Sequence, residues 1–166
     1  MRDLTLYRAM TATLPSFSLF NNAHSPDPDS TSCIFLEKGH IMEYIQLGAR
    51  RLVCLFWGPE EYVIRCHPLF STLKSLDPVA TVTFTYRNVI RTLRKFPESS
   101  AQYEGIRKQY LEKVTERLRM LNTMTGEERF EHLRSAQPWV FTLAGRQDIA
   151  AYLGLATEEL RTLVRC

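Results

Sequence analysis

The chain has 166 residues, 45% of them hydrophobic and 23% charged, with a formal net charge of +3. That length holds one domain or two very small ones and can bury a core without a disulfide or metal scaffold. No stretch approaches the roughly 18 apolar residues that span a bilayer. The first residues lack a charged start followed by an apolar run, so no signal peptide is expected and the cytoplasm is the expected location. The mild positive charge fits a weak preference for nucleic acid and equally fits many enzymes.

Four cysteines occur, at Cys33, Cys54, Cys66 and Cys166, none in a CxxC spacing. They read as reduced thiols, with Cys54 a small core residue inside an apolar run. His24, His40 and His132 are scattered, and Cys66-His67 is isolated, so no metal site is expected.

In chain order, residues 1–20 are mixed and moderately apolar. "NNAHSPDPDSTS" (Asn21–Ser32) concentrates Pro, Asp, Ser and Asn and reads as a loop. "CIFLEKGHIMEY" and "RRLVCLFW" read as two strands around a turn at Gln46–Ala49, with Gly39 bending the first. Gly58–Pro78 carries spaced prolines and suits short strands and loops. "VATVTFTY" (Val79–Tyr86) is rich in β-branched and aromatic residues and reads as a strand.

The periodicity then changes from 2 to 3.6. Tyr86–Phe96 reads as a short helix stopped by Pro97. Ser99–Leu121 reads as a long helix, because Tyr103, Ile106, Tyr110, Val114, Leu118 and Leu121 recur at three- and four-residue steps and form one apolar stripe. Its other faces carry Glu104, Arg107, Lys108, Glu112, Lys113, Glu116 and Arg117, which read as a solvated surface. A further helix opens with Thr125 and Glu128 in a capping-box spacing and ends at Pro138. "WVFTLAG" (Trp139–Gly145) reads as an apolar link, followed by two short helices, Arg146–Leu153 and Thr157–Arg165. Strands followed by helices imply an α+β chain, with a boundary near Thr123–Gly126.

The last two helices have the pattern of a helix-turn-helix. The first needs a small residue where the second packs, and Ala150 supplies it. The turn needs a residue able to adopt a left-handed conformation, and Gly154 supplies it. Ile149, Leu153, Leu155, Leu160 and Leu163 are spaced to point inward. An ordinary helical hairpin is the bland alternative.

"RQDIAAYLGLATEEL" (Arg146–Leu160) resembles the helix-turn-helix of the Crp/Fnr family of bacterial transcription regulators. "TGEERFEHLRSAQPWVFTLAGRQDIAAYLG" is closer still to a Bacteroidetes-type subgroup. "IFLEKGHIMEY" and "VCLFWGPEEYVI" resemble strands of that family's cyclic-nucleotide-binding-like barrel. The resemblance covers about residues 33–166, with its specific motifs from about 125 onward.

It implies a partial cyclic-nucleotide-binding-like β-barrel over 1–98, divergent or truncated at its N-terminus. A dimerisation helix follows over 99–122, with the Tyr103–Leu121 stripe as its interface. A helix-turn-helix of the winged-helix type spans 123–166. The implied function is DNA-binding transcriptional regulation by a homodimer on double-stranded DNA, with RNA polymerase as a further partner. No membrane partner, cofactor or metal is implied.

Three departures qualify that reading. The family holds a cyclic phosphate with a Gly-Glu pair and an Arg in one loop, because a buried phosphate needs charge-assisted donors. Here the loop has Glu60, Glu61 and Arg65, two carboxylates without compensating donors, so no response to cyclic nucleotide is expected. Only 32 residues precede the first barrel-like strand. In the reading helix, Thr157 and Thr162 stand where the family places arginines and Ala156 stands at the cap, a role Thr157 could take over.

Glu158 matches a base-contacting position and Gln147 a phosphate-contacting one, while Arg161 and Arg165 lie one position off the pattern. Charges balance locally: Arg146, Arg161 and Arg165 against Asp148, Glu158 and Glu159. Weak binding is expected, since phosphate contacts supply most DNA affinity. A dimeric interaction protein that keeps the fold without reading DNA is the alternative. An enzyme is not expected, because Glu60-Glu61 near His67 is the only acid–histidine cluster and reads as a solvated loop.

Overall fold

The computed structural model describes residues 17–18, 31–64 and 71–165. Arg65, Cys66, His67, His24, Cys166 and most of the loop assigned to Asn21–Ser32 lie outside them. Among the described residues, seven strands precede the helices: β1 (Phe17–Ser18), β2 (Thr31–Lys38), β3 (Ile41–Leu47), β4 (Arg50–Trp57), β5 (Glu61–Val63), β6 (Ser71–Ser75) and β7 (Ala80–Thr85). Six helices are described after them: α1 (Tyr86–Lys95), α2 (Ser100–Thr123), α3 (Gly126–Ala136), α4 (Val140–Leu143), α5 (Arg146–Leu153) and α6 (Thr157–Arg165). A 3-10 turn, Pro97–Ser99, separates α1 from α2.

The strands form two antiparallel sheets, ordered β1-β7-β2-β5 and β4-β3-β6. Ile34, Leu36, Ile41, Leu55, Trp57, Val63, Leu73 and Val79 fill the space between them.

Two sequence readings need correction. "CIFLEKGHIMEY" is two strands, because Gly39 takes φ +84 and separates β2 from β3. A Cβ there would stand 2.5 Å from the Pro78 carbonyl oxygen, so the bend demands glycine. "WVFTLAG" contains a turn of helix, α4, whose Val140 is fully buried.

Strand β4 explains its own composition. Val53 to Trp57 are all buried. The ladder skips Cys54 between Glu43↔Leu55 and Tyr44↔Val53, a bulge that changes the strand's phase. Leu55 and Trp57 face the other sheet, while Val53 and Phe56 face outward with Met42. That outer face is covered by the C-terminal helices, so β4 is apolar on both sides, as strands covered on both faces are.

One core therefore joins Met42, Val53 and Phe56 to Met120, Phe130, Leu133, Val140, Ile149, Leu153 and Leu160. Phe56 makes the junction aromatic, with ring centroids 4.9 Å from Tyr152 and 6.1 Å from Trp139. His40 closes the same edge, hydrogen-bonding Asp77 at 2.7 Å and lying 4.2 Å from the Trp139 ring. A third cluster sits on the other sheet, where Cys33, Phe35, Val82 and Phe84 meet Val89 of α1 and Ile106 of α2.

Candidate nucleic-acid interface

Helix α3 begins with a complete capping box. Thr125 Oγ1 accepts from the Glu128 N–H, and the Thr125 N–H donates to Glu128 Oε2 at 2.7 Å. That backbone N–H, held against the carboxylate, lowers the Glu128 pKa. The box fixes where α3 starts, and Phe130 and Leu133 then point into the shared core.

Helix α5 packs on β4 through Ile149, Ala150 and Leu153, all buried. It ends at Gly154, with φ 65 and ψ 38, whose N–H returns to the Ala150 carbonyl. The Leu155 N–H donates to the same oxygen at 2.9 Å. Arg129 Nη1 donates to the Leu153 carbonyl at 2.6 Å, satisfying another acceptor at this helix end. The chain then turns, and Leu160 drops into the core at 1% exposure, with Leu163 partly buried beside it.

The start of α6 keeps Ala156 at the cap position read from the sequence, since the Leu160 N–H donates to its carbonyl, and Thr157 does not take that role over. Glu159 reaches back to accept from the Ala156 N–H at 2.7 Å, half of a capping box. Opposite Leu160 the helix is open. Glu158, Arg161 and Thr162 are exposed, Val164 is 54% exposed and Thr157 is half-buried. Arg161 is not idle there, because its Nη1 pairs with Glu158 at 2.9 Å. Thr162 Oγ1 donates to the Glu158 carbonyl at 3.2 Å. Arg165 closes the helix. Gln147 and Arg146 are exposed at the foot of α5. The two helices thus share one outward surface over an anchored inner face.

Asp148 is the residue that sequence reasoning missed. It is 6% exposed and points to the barrel, with Oδ1 2.7 Å from Arg51 Nη1 and Oδ2 3.8 Å from Lys74 Nζ. Nothing local signals this, because both partners lie far away in sequence.

The stripe on α2 is divided. Tyr103 and Ile106 pack on the cluster around Phe84, with Ile106 at 7% exposure. Tyr110 and Val114 pack against the core between the sheets, and the Tyr110 ring lies nearly parallel to Trp57. Leu121 packs on the C-terminal helices. Of the six, only Leu118 is exposed, at 53%, and it is joined by Leu111 at 57%, which the stripe did not include.

The charged faces of α2 are also not wholly solvated. Arg117 Nη2 donates to the Tyr152 carbonyl at 3.2 Å, and its guanidinium lies 4.8 Å over the Tyr152 ring. Lys113 pairs with Glu61 at 2.8 Å and lies 4.5 Å over the Trp57 ring. Glu61 also accepts from the Gly58 N–H at 2.8 Å, so that carboxylate does have compensating donors. Lys113, Arg117, His132, Gln137 and Tyr152 line a cleft of about 380 Å³ between α2, α3 and β4. Among the described residues, no group of three or more His, Cys, Asp or Glu is gathered for a metal, and no helix is long and apolar enough to cross a membrane.

No family model and no curated protein matches the chain. Solved structures do. FixK2 from Bradyrhizobium japonicum aligns with TM-score 0.70 and 15% identity over 90% of this chain and 78% of that one. A transcriptional regulator from Eubacterium rectale, described as of the crp/fnr family, aligns with TM-score 0.69 and 10% identity over 99% and 82%. The chain has the Crp/Fnr fold. CooA from Carboxydothermus hydrogenoformans aligns with TM-score 0.62 and 12% identity over 80% of this chain, which spans 65% of CooA's length. In the Crp/Fnr fold of this chain, β2–β7 form the barrel-like part, α2 the long helix and α5–α6 the helix-turn-helix.

Proposed function

We propose that the chain is a DNA-binding transcriptional regulator of the Crp/Fnr type, acting as a homodimer on double-stranded DNA. The observation that carries this is α6. Its inner side is locked by Leu160 and Leu163 while Glu158, Arg161, Thr162 and Val164 stand uncovered opposite. A rigidly held helix with a polar outer face is what major-groove reading requires. Thr157, Glu158, Arg161, Thr162 and Arg165 are the proposed base-side residues. Gln147, with Arg146, is proposed to meet phosphate at the foot of α5, where free backbone N–H groups favour an anion.

Residues 1–98 form the sensor-like unit, 99–122 the dimer helix and 123–166 the reading unit. The dimer seam proposed on this geometry is the open edge of α2 at Leu111 and Leu118, seven residues apart as in a two-stranded coiled coil. RNA polymerase is the further partner a regulator of this type would engage. The barrel is proposed not to respond to cyclic nucleotide. Glu61 supports this, since it brings an anion to the β5 edge and occupies Lys113, a cation a phosphate would need.

One observation favours a second reading. Arg161 and Glu158 satisfy each other, which reduces the charge free to meet bases. On that reading the chain is a dimeric interaction protein without DNA affinity. Mobility shifts with Glu158→Ala and Arg161→Ala separate the two: a regulator loses affinity in both, and an unchanged shift removes α6 from the interface.

A further inference from the structure

Beside the apolar packing of α5 on β4, two cations of the sheet meet one carboxylate in the first turn of α5. Arg51 on β4 and Lys74 on β6 flank the central strand β3 and converge on Asp148 in the first turn of α5. Arg51 is held in place for this, its guanidinium 4.6 Å over the Tyr44 ring of β3. Just before the contact, Arg146 and Gln147 are exposed, whereas Asp148 is buried.

We propose that Arg51 and Lys74 are positioning residues for DNA binding: by neutralising Asp148 they let the barrel set the charge of the surface that meets the phosphate backbone. This rests on the reading of α5–α6 as the DNA-binding pair. Within Arg146–Cys166 alone, three cations face three carboxylates. Once Arg51 cancels Asp148, the segment presents an excess of positive charge, and Lys74, 45% exposed on its side chain, adds to it. An uncancelled carboxylate one residue from Gln147 would repel the phosphate that Gln147 and Arg146 approach. Asp148 is favourable in its own helix, where an acid in the first turn complements the dipole. The barrel therefore removes a cost to DNA binding without removing the residue. Any shift of β4 or β6 away from α5 exposes that charge again, so the position of the barrel and DNA affinity are coupled through this contact.

The test is equilibrium binding of the full chain to a random-sequence duplex pool at about 50 mM salt, where phosphate electrostatics dominate. Arg51→Ala is expected to weaken binding roughly tenfold, an estimate from one uncancelled charge close to the backbone. Asp148→Asn is expected to bind as tightly as wild type or tighter. The double variant Arg51→Ala/Asp148→Asn is expected to return to within about threefold of wild type, since the charge that Arg51 cancelled is gone. Lys74→Gln, on a more exposed side chain, carries the same charge test if Arg51→Ala folds poorly, with about a threefold loss expected.

Charge rescue is the readout that a merely structural tie would not give. A double variant as weak as Arg51→Ala, or Lys74→Gln and Arg51→Ala both binding like wild type, overturns the proposal while leaving the DNA reading intact. A wild-type chain that binds no duplex at this salt overturns the DNA reading itself, and the inference with it.

Discussion

Arg129 reaches from α3 to the end of α5 and donates to the Leu153 carbonyl at 2.6 Å. The last carbonyls of a helix have no partner within it, and a cation there also complements the helix dipole. Arg129 thus ties the helix carrying the capping box to the turn that aims α6. Arg129→Ala is expected to cost about 1–2 kcal/mol, as for a charged donor to a partly buried acceptor. For a chain of this size that is a Tm decrease of about 2–8 °C, read by thermal unfolding.

Three glycines with positive φ should rank by what surrounds them. Gly48, at φ +59 in the β3–β4 turn, has open space where a Cβ would go. Gly48→Ala should cost only the left-handed backbone penalty, about 1 kcal/mol. At Gly154 a Cβ would also meet Arg129 Nη1 at 3.0 Å and Leu121 Cδ2 at 3.1 Å, for a total of about 2 kcal/mol. At Gly39 the obstacle is backbone, the Pro78 carbonyl, and the loss should exceed about 3 kcal/mol. Denaturant midpoints that placed Gly48→Ala at or beyond Gly39→Ala would contradict this packing.

The divided stripe on α2 separates stability from assembly. Ile106→Ala should destabilise the fold by about 2–4 kcal/mol, because it empties a buried site. Leu111→Glu and Leu118→Glu, on exposed positions, should leave monomer stability within about 0.5 kcal/mol and abolish dimers in sedimentation. Dimers that survive the paired Glu substitutions would move the seam elsewhere.

Cys33 is buried among Phe35, Val82 and Phe84, and burial pushes its thiol pKa up to about 12. The thiolate is the reactive form, so alkylation near pH 8 should proceed only through unfolding and accelerate in denaturant. The sign of the linkage follows from the raised folded pKa. The neutral thiol's stabilising burial is fully present below the ordinary thiol value near 9.0 and is lost as pH rises toward about 12. Against a Cys33→Ala control, wild-type stability should fall more steeply over that interval. Parallel curves would show that Cys33 is not sealed.

Much of this was legible along the chain because it is local. The capping box at Thr125 and Glu128, the stop at Pro138, the left-handed turn at Gly154 and the inward Ile149, Leu153 and Leu160 each follow from residues within a few positions. What was not legible is pairing over distance. Asp148 looked like one more surface charge because its partners, Arg51 and Lys74, come from a sheet that periodicity cannot place against α5. Lys113 and Arg117 looked solvated for the same reason, before β5 and Tyr152 were known to lie beneath them. The stripe on α2 showed which face is apolar, and Ile106 and Leu118 show that one apolar face can serve both the core and an open edge.

The claim that α6 reads DNA is tested most directly by the salt dependence of binding to a random duplex pool, with the bound fraction sequenced. A reader with few phosphate contacts should bind at about 50 mM salt, weaken several-fold or more by about 200 mM, and enrich a two-fold-symmetric sequence. Arg161→Ala should blur that sequence at one position in each half-site. No binding at the lower salt, or binding whose enriched sequence is identical with Arg161→Ala and Glu158→Ala, would contradict it.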